Sequence, residues 1–135
     1  GAIAPFGNVI DGGVPWGWGL SVWRGALRLH ANWGAGTLND YHYCEGVNDG
    51  AWHHVAGIFD RDSVRMYVDG EECWTDTLTT EVGTVSASPW QRARIGADGF
   101  ADFTGGVIWN GSLDEVRIYD VALTSAQVGA ELVPD

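Results

Sequence analysis

The sequence predicts an all-β domain in which two antiparallel sheets pack as a sandwich. Twenty of its 135 residues are glycine and eight are tryptophan, a composition typical of strands joined by many tight turns. Short runs of alternating apolar and polar residues recur between turn residues along the chain. Helical periodicity is confined to the C-terminal end, so we expect about eight or nine short strands and one short C-terminal helix.

The N-terminal third predicts an irregular segment followed by a hairpin. Residues 1–19 are rich in glycine, and we expect them to be irregular. Residues 20–24 and 26–30 predict two strands that meet in a tight turn at Gly25. A further strand is expected at residues 41–44.

The central part predicts three strands, at residues 52–59, 64–68 and 72–78. In the second of them Val64, Met66 and Val68 alternate with Arg65 and Tyr67, which is the period of a strand with two different faces. The four residues before this strand predict one turn, and the Asp-Gly pair after it predicts another.

The C-terminal part predicts two strands and a helix, at residues 92–96, 112–119 and 125–132. A loop rich in glycine and aspartate separates the two strands. Thr124 and Gln127 have the spacing of a capping box, in which the side chain of each residue bonds the backbone of the other. We therefore expect the helix to begin directly after Thr124.

The charge balance excludes several classes of partner. Seven arginines, no lysine and eighteen acidic residues give a formal net charge of −11 and a pI near 4.4. Phosphates would be repelled, so we expect neither nucleic acid nor a membrane surface as a partner. No run of residues is long and apolar enough for a transmembrane helix. The length fits one domain over residues 1–135, and the acidic surface suits divalent cations and hydroxyl-rich ligands.

The two cysteines, Cys44 and Cys73, leave their oxidation state open. They are too few for a disulfide framework or a four-ligand zinc site. A disulfide between them would stabilise the fold by roughly 3 kcal/mol and would favour an extracellular or periplasmic protein. The alternative is a pair of buried thiols.

Four segments occur in an order that resembles a known family. They are residues 52–57 (WHHVAG), 64–70 (VRMYVDG), 95–96 (IG) and 111–119 (GSLDEVRIY). Together they resemble laminin G-like domains of the concanavalin A-like lectin/glucanase family, over residues 50–132 more closely than over residues 1–49. The resemblance implies a jelly-roll sandwich and a single laminin G-like domain.

Members of that family usually carry several strands before the point at which this sequence begins, including one that pairs with the last strand. Three explanations are open: the chain is a fragment of a longer polypeptide, residues 1–19 replace the missing strands, or a second copy completes the sheet. An open sheet edge leaves backbone donors and acceptors unpaired and recruits other strands. We therefore expect a self-contained variant that forms a homodimer through this edge.

Tryptophans are the candidate ligand-binding residues. Trp52 and Trp109 lie beside or within predicted strands and are expected in the core. The other candidates are expected to be exposed in loops: Trp16, Trp18, Trp33 and Trp90. An exposed indole can stack on the apolar face of a sugar ring, so these four predict a carbohydrate-binding platform. The alternative is that they cover sheet edges or a dimer interface.

The resemblance also implies a structural calcium. Asp114 matches the aspartate that binds calcium on the last strand of similar proteins, and Asp11 is the nearest substitute for its N-terminal partner. Asp98 and Asp102 offer two further oxygen ligands in a loop. The alternative for Asp114 is an ion pair or a hydrogen bond to a turn.

Catalysis is not expected. A glycosidase needs two carboxylates that flank the scissile bond, and the Glu-x-Asp-x-x-Glu run of glycosidase relatives is absent from the sequence. His53 and His54 are neighbours in a predicted strand and point to opposite faces, so they cannot bind one metal. We expect a non-catalytic module that binds carbohydrate. The alternatives are a protein-interaction or self-assembly domain and, less favoured, a glycoside-cleaving enzyme.

Overall fold

The computed structural model describes residues 6–11, 18–23, 25–31, 40–60, 63–77, 94–96 and 109–131. Within these ranges the chain forms eight strands and one helix. The strands are β1 Phe6–Asp11, β2 Trp18–Trp23, β3 Ala26–Ala31, β4 Asp40–Cys44, β5 Val55–Asp60, β6 Ser63–Val68, β7 Glu71–Thr77 and β8 Arg94–Ile95. The helix, α1, spans Ser125–Ala130.

The described strands form two antiparallel sheets. Sheet A has the order β4-β3-β2-β1-β8, and sheet B has the order β5-β6-β7. The predicted hairpin between β2 and β3 is confirmed, and Gly25 in its turn has a φ of 87°, a left-handed conformation that favours glycine. Asp69 and Gly70 turn the chain between β6 and β7 as predicted, both with positive φ.

One hydrophobic core lies between the two sheets. Its buried members are Leu20, Val22, Leu27, Leu29 and Cys44 from sheet A, and Val64 and Met66 from sheet B. Because side chains alternate across a strand, these residues identify the inner face of each sheet. The predicted fold class, an all-β sandwich of two antiparallel sheets with a short C-terminal helix, is confirmed.

Helix α1 covers the outer face of sheet B. Val128 packs against Ile58 and Tyr67 there, so the second face of β6 is buried as well as the first. The Tyr67 hydroxyl lies 2.9 Å from Ser125 Oγ at the start of the helix. The predicted capping box of Thr124 with residue 127 is present. No helix among the described residues is long and apolar enough to cross a membrane.

A disulfide between Cys44 and Cys73 joins the two sheets. Cys44 ends β4 in sheet A, and Cys73 lies in β7 of sheet B. Their Cα atoms are 5.8 Å apart, which is within the usual range for a disulfide. The question that the sequence left open is therefore answered in favour of the bond.

The prediction that residues 1–19 are irregular is wrong. β1 lies in the middle of this segment and pairs with β2 and β8. Trp18 is not a loop residue, because it begins β2 opposite Ala31. Strand pairing uses backbone hydrogen bonds, so a glycine-rich sequence without clear alternation can still add a strand to a sheet.

The predicted last strand, at residues 112–119, is also wrong. Within residues 109–131 the only regular element is α1. Glu115 has a φ of 50°, a left-handed conformation that interrupts an extended strand. Of the apolar side chains in this segment, Leu113 packs against the core, whereas Val116 and Ile118 are exposed, Ile118 to 63%. A segment with strand-forming residues becomes a strand only where a neighbouring strand pairs with its backbone hydrogen-bonding groups.

Candidate functional site

Most of the predicted site residues lie outside the described residues. These are Trp16, Trp33, Trp90, Asp98 and Asp102. Of the remainder, Trp18 is the first residue of β2, and Asp11 is the last residue of β1, opposite Gly19 and Arg94. The carbohydrate platform built from the four loop tryptophans therefore stays a prediction.

Asp114 is exposed and makes a local hydrogen bond. Its Oδ1 atom accepts from the backbone N–H of Glu115 at 2.9 Å, which is the turn contact that the sequence left open as an alternative to calcium. In the part of the chain that the structure describes, no three His, Cys, Asp or Glu side chains cluster as metal ligands. The calcium site also stays a prediction.

Trp52 is the exposed aromatic that the structure adds to the candidates. The prediction that it lies in the core is wrong, because its side chain is 69% exposed. β5 begins only at Val55, so the alternation of a strand does not apply to Trp52. Trp109, by contrast, is half-buried and packs against the core as expected. The sequence did contain a signal for Trp52, since the turn-forming residues Asn48-Asp49-Gly50 lie two positions before it.

The imidazole of His53 lies between two carboxylates from different parts of the chain. Its Nδ1 atom is 2.8 Å from Asp69 Oδ2, and its Nε2 atom is 3.0 Å from Asp49 Oδ1. The His53 side chain is only 15% exposed, whereas those of Asp49 and Asp69 are 60% and 53% exposed. We call these three residues the His53 clamp.

Backbone groups hold both carboxylates of the clamp in place. The N–H of Ala51 donates to Asp49 Oδ1 at 2.8 Å, and the N–H of His54 donates to Asp69 Oδ1 at 3.0 Å. The Asp69 N–H in turn donates to the carbonyl oxygen of His54 at 2.8 Å. Asp69 takes its φ of 52° at the cost of little strain, because aspartate tolerates this conformation better than most residues.

The clamp attaches one loop to the end of sheet B. Residues 45–54 connect β4 to β5, and we call residues 45–52 of this connection, which precede His53, the Trp52 loop. Gly46 and Gly50 turn this loop with φ values of 91° and 89°. At its C-terminal end the clamp joins it to the turn between β6 and β7, so Trp52 lies next to the point of attachment.

The hydrogen bonds of the clamp shift all three pKa values. The bond to Asp69, and then the bond to Asp49, raise the pKa of His53 above its ordinary value. The bond to His53 lowers the pKa of Asp69. The N–H of Ala51, followed by His53, lowers the pKa of Asp49. The charged forms of the imidazole and of both carboxylates are therefore favoured together.

The arrangement combines an exposed aromatic surface with hydrogen-bond acceptors. Trp52 offers a flat apolar face to solvent, and the two aspartates of the His53 clamp present carboxylate oxygens. Asp49 Oδ2 makes no hydrogen bond with a described residue. Such a surface can bind a ligand that has both an apolar face and hydroxyl groups at its edge.

Comparison with known proteins gives a family match and a structural match. A family model described as the concanavalin A-like lectin/glucanases superfamily matches residues 4–129. The fold is similar, with a TM-score of 0.51, to the crystal structure of an S-layer domain-containing protein (residues 221–444) from Clostridium thermocellum. Sequence identity is 18%, over 87% of this chain and 57% of that chain. This chain thus spans little more than half of that structure, and at this identity the similarity shows the fold alone. Curated protein sequences contain no match.

Proposed function

Because the chain belongs to the concanavalin A-like lectin/glucanases superfamily, we propose that it is a non-catalytic binding module whose preferred ligand is carbohydrate. Family membership and the similarity to an S-layer domain-containing protein support a binding or adhesion module. Since a fold of this kind hosts many functions, the ligand class has to be argued from the site. The observation that carries the proposal is the exposed side chain of Trp52, which directly precedes His53 and its two partly exposed carboxylate partners.

The chemistry of a sugar matches this surface. A pyranose ring has an apolar face of C–H groups that packs on an indole, and stacking removes apolar area of both partners from water. Hydroxyl groups at the edge of the ring can donate to the exposed carboxylate oxygens of Asp49 and Asp69. The formal net charge of −11 disfavours sulfated or uronic glycans, so neutral glycans are the preferred class.

The site of action is proposed to be outside the cytoplasm. The disulfide between Cys44 and Cys73 forms and persists in oxidising compartments. The S-layer domain-containing protein with a similar fold supports a location at the cell surface. Together these observations favour an extracellular or periplasmic module.

Substitution of Trp52 tests the carbohydrate proposal. On a glycan array we expect Trp52→Ala to weaken binding by on the order of tenfold, because the stacking surface is removed. Trp52→Tyr should retain most of the binding, since an aromatic ring remains. Tyr43→Ala is the matched control, because Tyr43 is an exposed aromatic that lies in β4 and is not part of the Trp52 loop.

Three outcomes of the glycan-array experiment test the Trp52 loop, the N-terminal tryptophans and the carbohydrate proposal itself. Unchanged binding in Trp52→Ala would contradict the role of the Trp52 loop. Loss in Trp16→Ala or Trp18→Ala would instead locate the ligand at the N-terminal tryptophans that the sequence predicts. Absence of binding to any glycan would refute the carbohydrate proposal as a whole.

A second candidate function is self-assembly. The segment from Val116 to Val121 exposes the apolar side chains of Val116, Ile118, Tyr119 and Val121, and an exposed apolar patch of this kind can pack against a second copy of the chain. Size-exclusion chromatography with light scattering over micromolar concentrations tests for the proposed homodimer, and a monomer at every concentration would contradict it.

Release of reducing sugar from glycans that bind would contradict the proposal that the module is non-catalytic.

A structural calcium ion remains part of the proposal. Asp114 is exposed, and its Oδ2 atom makes no hydrogen bond with a described residue, so this carboxylate can offer an oxygen ligand. Asp11, Asp98 and Asp102 are the proposed partners. Calorimetric titration with calcium, together with the melting temperature in chelator, should show binding that Asp114→Asn weakens. No heat and no change in melting temperature would exclude the ion.

A further inference from the structure

We propose that protonation of His53 fastens the Trp52 loop to sheet B, so that raising the pH releases the loop and weakens ligand binding. The first half of this inference concerns the protein alone. The second half rests on the proposed function, because it assumes that the ligand stacks on Trp52.

The geometry of the His53 clamp requires a protonated imidazole. Nδ1 and Nε2 each lie within hydrogen-bond distance of a carboxylate oxygen. An ionised carboxylate can only accept, so each ring nitrogen has to donate. A neutral imidazole carries one N–H and the imidazolium carries two. Both contacts therefore form together only in the imidazolium, and in the neutral ring one nitrogen lone pair would face a carboxylate oxygen.

The contact with Asp49 is the one that a neutral ring gives up. The Nδ1 contact with Asp69 is shorter, and Asp69 also accepts from the N–H of His54 and donates its own N–H to the His54 carbonyl oxygen. Asp69 is thus fixed to this segment independently of His53. Among the described residues, Asp49 bonds only to the N–H of Ala51 within the Trp52 loop, apart from its contact with His53. Loss of the Nε2 proton consequently frees the loop and not the turn.

The charges around the clamp set the pH at which release occurs. Asp49 faces His53 from the loop, and Asp69 faces it from the turn between β6 and β7. His54 is the next titratable group, and it interacts with Asp69 and with Glu131 beyond the end of α1. Both facing groups are acidic, so they stabilise the imidazolium.

The direction of the pH effect follows from these shifts. Because the pKa of His53 is raised from 6.5 in the folded chain, the stabilisation from the clamp is complete below pH 6.5 and is lost as the pH rises through the folded value. The pKa values of Asp49 and Asp69 are lowered from 3.8, so both carboxylates stay ionised across this range. The loop is therefore attached below pH 6.5 and released as the pH rises through the raised pKa of His53.

Nuclear magnetic resonance of the intact chain can follow both events. The 15N signals of the His53 ring should show protonation of Nδ1 and Nε2 near pH 5.5, with a titration midpoint above 6.5. Over the same midpoint, the backbone order parameters of residues 50–52 should fall from about 0.85 to about 0.6, the change from a rigid to a flexible backbone. Order parameters in β6 should not change. Constant order in residues 50–52 across the His53 titration would overturn the inference.

Asp49→Asn is the decisive variant. An asparagine amide can donate to a neutral Nε2, so the loop should remain ordered at high pH and its pH dependence should disappear. Asp120→Asn, in an exposed part of residues 109–131, is the matched control and should keep the wild-type transition. His53→Gln should leave the loop flexible at every pH. If that variant does not fold, Asp49→Asn still decides, because a wild-type transition in Asp49→Asn would contradict the clamp.

The ligand measurement separates the clamp from the proposed function. With a neutral glycan that the array identifies, affinity should fall by about tenfold from pH 5.5 to pH 8.5, corresponding to a difference of about one pH unit in the His53 midpoint between free and bound protein. In Asp49→Asn the two affinities should be equal. Equal affinities in the wild type, with a loop that loosens, would overturn the regulatory half alone. Absence of any glycan binding would refute the proposed function. The order parameters of residues 50–52 would still test whether His53 protonation holds the loop in place.

Discussion

Reduction of the disulfide between Cys44 and Cys73 should cost this protein a large share of its stability. The bond joins residues that are 29 positions apart. For a closed loop of this size, the loss of chain entropy in the unfolded state corresponds to about 3.6 kcal/mol at 25 °C. Domains of this size have unfolding free energies of roughly 5–15 kcal/mol, so the reduced chain should be markedly less stable.

The oxidised and the reduced chain can be compared directly because the chain contains no cysteine other than Cys44 and Cys73. Urea unfolding, followed by tryptophan fluorescence, can be measured on the oxidised and the reduced chain, which differ only in the bond. The denaturant dependence should be smaller for the oxidised chain, since a cross-linked unfolded state exposes less surface. The unfolding free energy of the double variant Cys44→Ala/Cys73→Ala should not change measurably when reductant is added.

Equal unfolding free energies in the two states, within about 0.5 kcal/mol, would refute this reasoning. That result would mean that the unfolded chain is already as restricted as the disulfide makes it. A loss of only about 1–2 kcal/mol would show a partly compact unfolded state, and the change in denaturant dependence would then be small as well.

Two further substitutions test local interactions by urea unfolding. Gly25→Ala should destabilise the fold more than Gly46→Ala. Both variants place alanine at positive φ, at a cost of roughly 1–2 kcal/mol, but a Cβ at residue 25 would also lie 2.5 Å from Asn48 Nδ2, whereas a Cβ at residue 46 meets nothing within 4 Å. Equal losses of stability in the two variants would contradict the close contact. Tyr67→Phe should cost about 1–3 kcal/mol, because the buried hydroxyl bonds partners from β6, β7 and α1, whereas the exposed Tyr43→Phe should be neutral.

Local patterns in the sequence predicted the local structure well. The turn at Gly25 and the capping box at Thr124 depend on residues a few positions apart, and both are present. The alternation in β6 correctly assigned Val64 and Met66 to one face and Tyr67 to the other. It did not reveal that both faces are buried, because the second face is covered by a helix that lies far along the chain.

Predictions failed where the outcome depends on a distant partner. β1 is a strand because β2 and β8 lie on either side of it. Its own residues do not alternate between apolar and polar, so the sequence did not predict a strand there. Residues 112–119 carry the apolar residues Leu113, Val116 and Ile118 and still form no strand. Trp52 was assigned to the core because the start of β5 was placed three residues too early, which turned an exposed loop residue into a strand residue.

The sequence by itself determined the fold class, the turns, the helix start and the acidic character of the surface, since each of these follows from composition or from neighbours along the chain. Only the tertiary structure decided that Cys44 and Cys73 are bonded and that His53 lies between Asp49 and Asp69. The physical reason is that a disulfide and a hydrogen bond act over a few ångströms. Which side chains come that close depends on how the two sheets and their connecting loops are arranged.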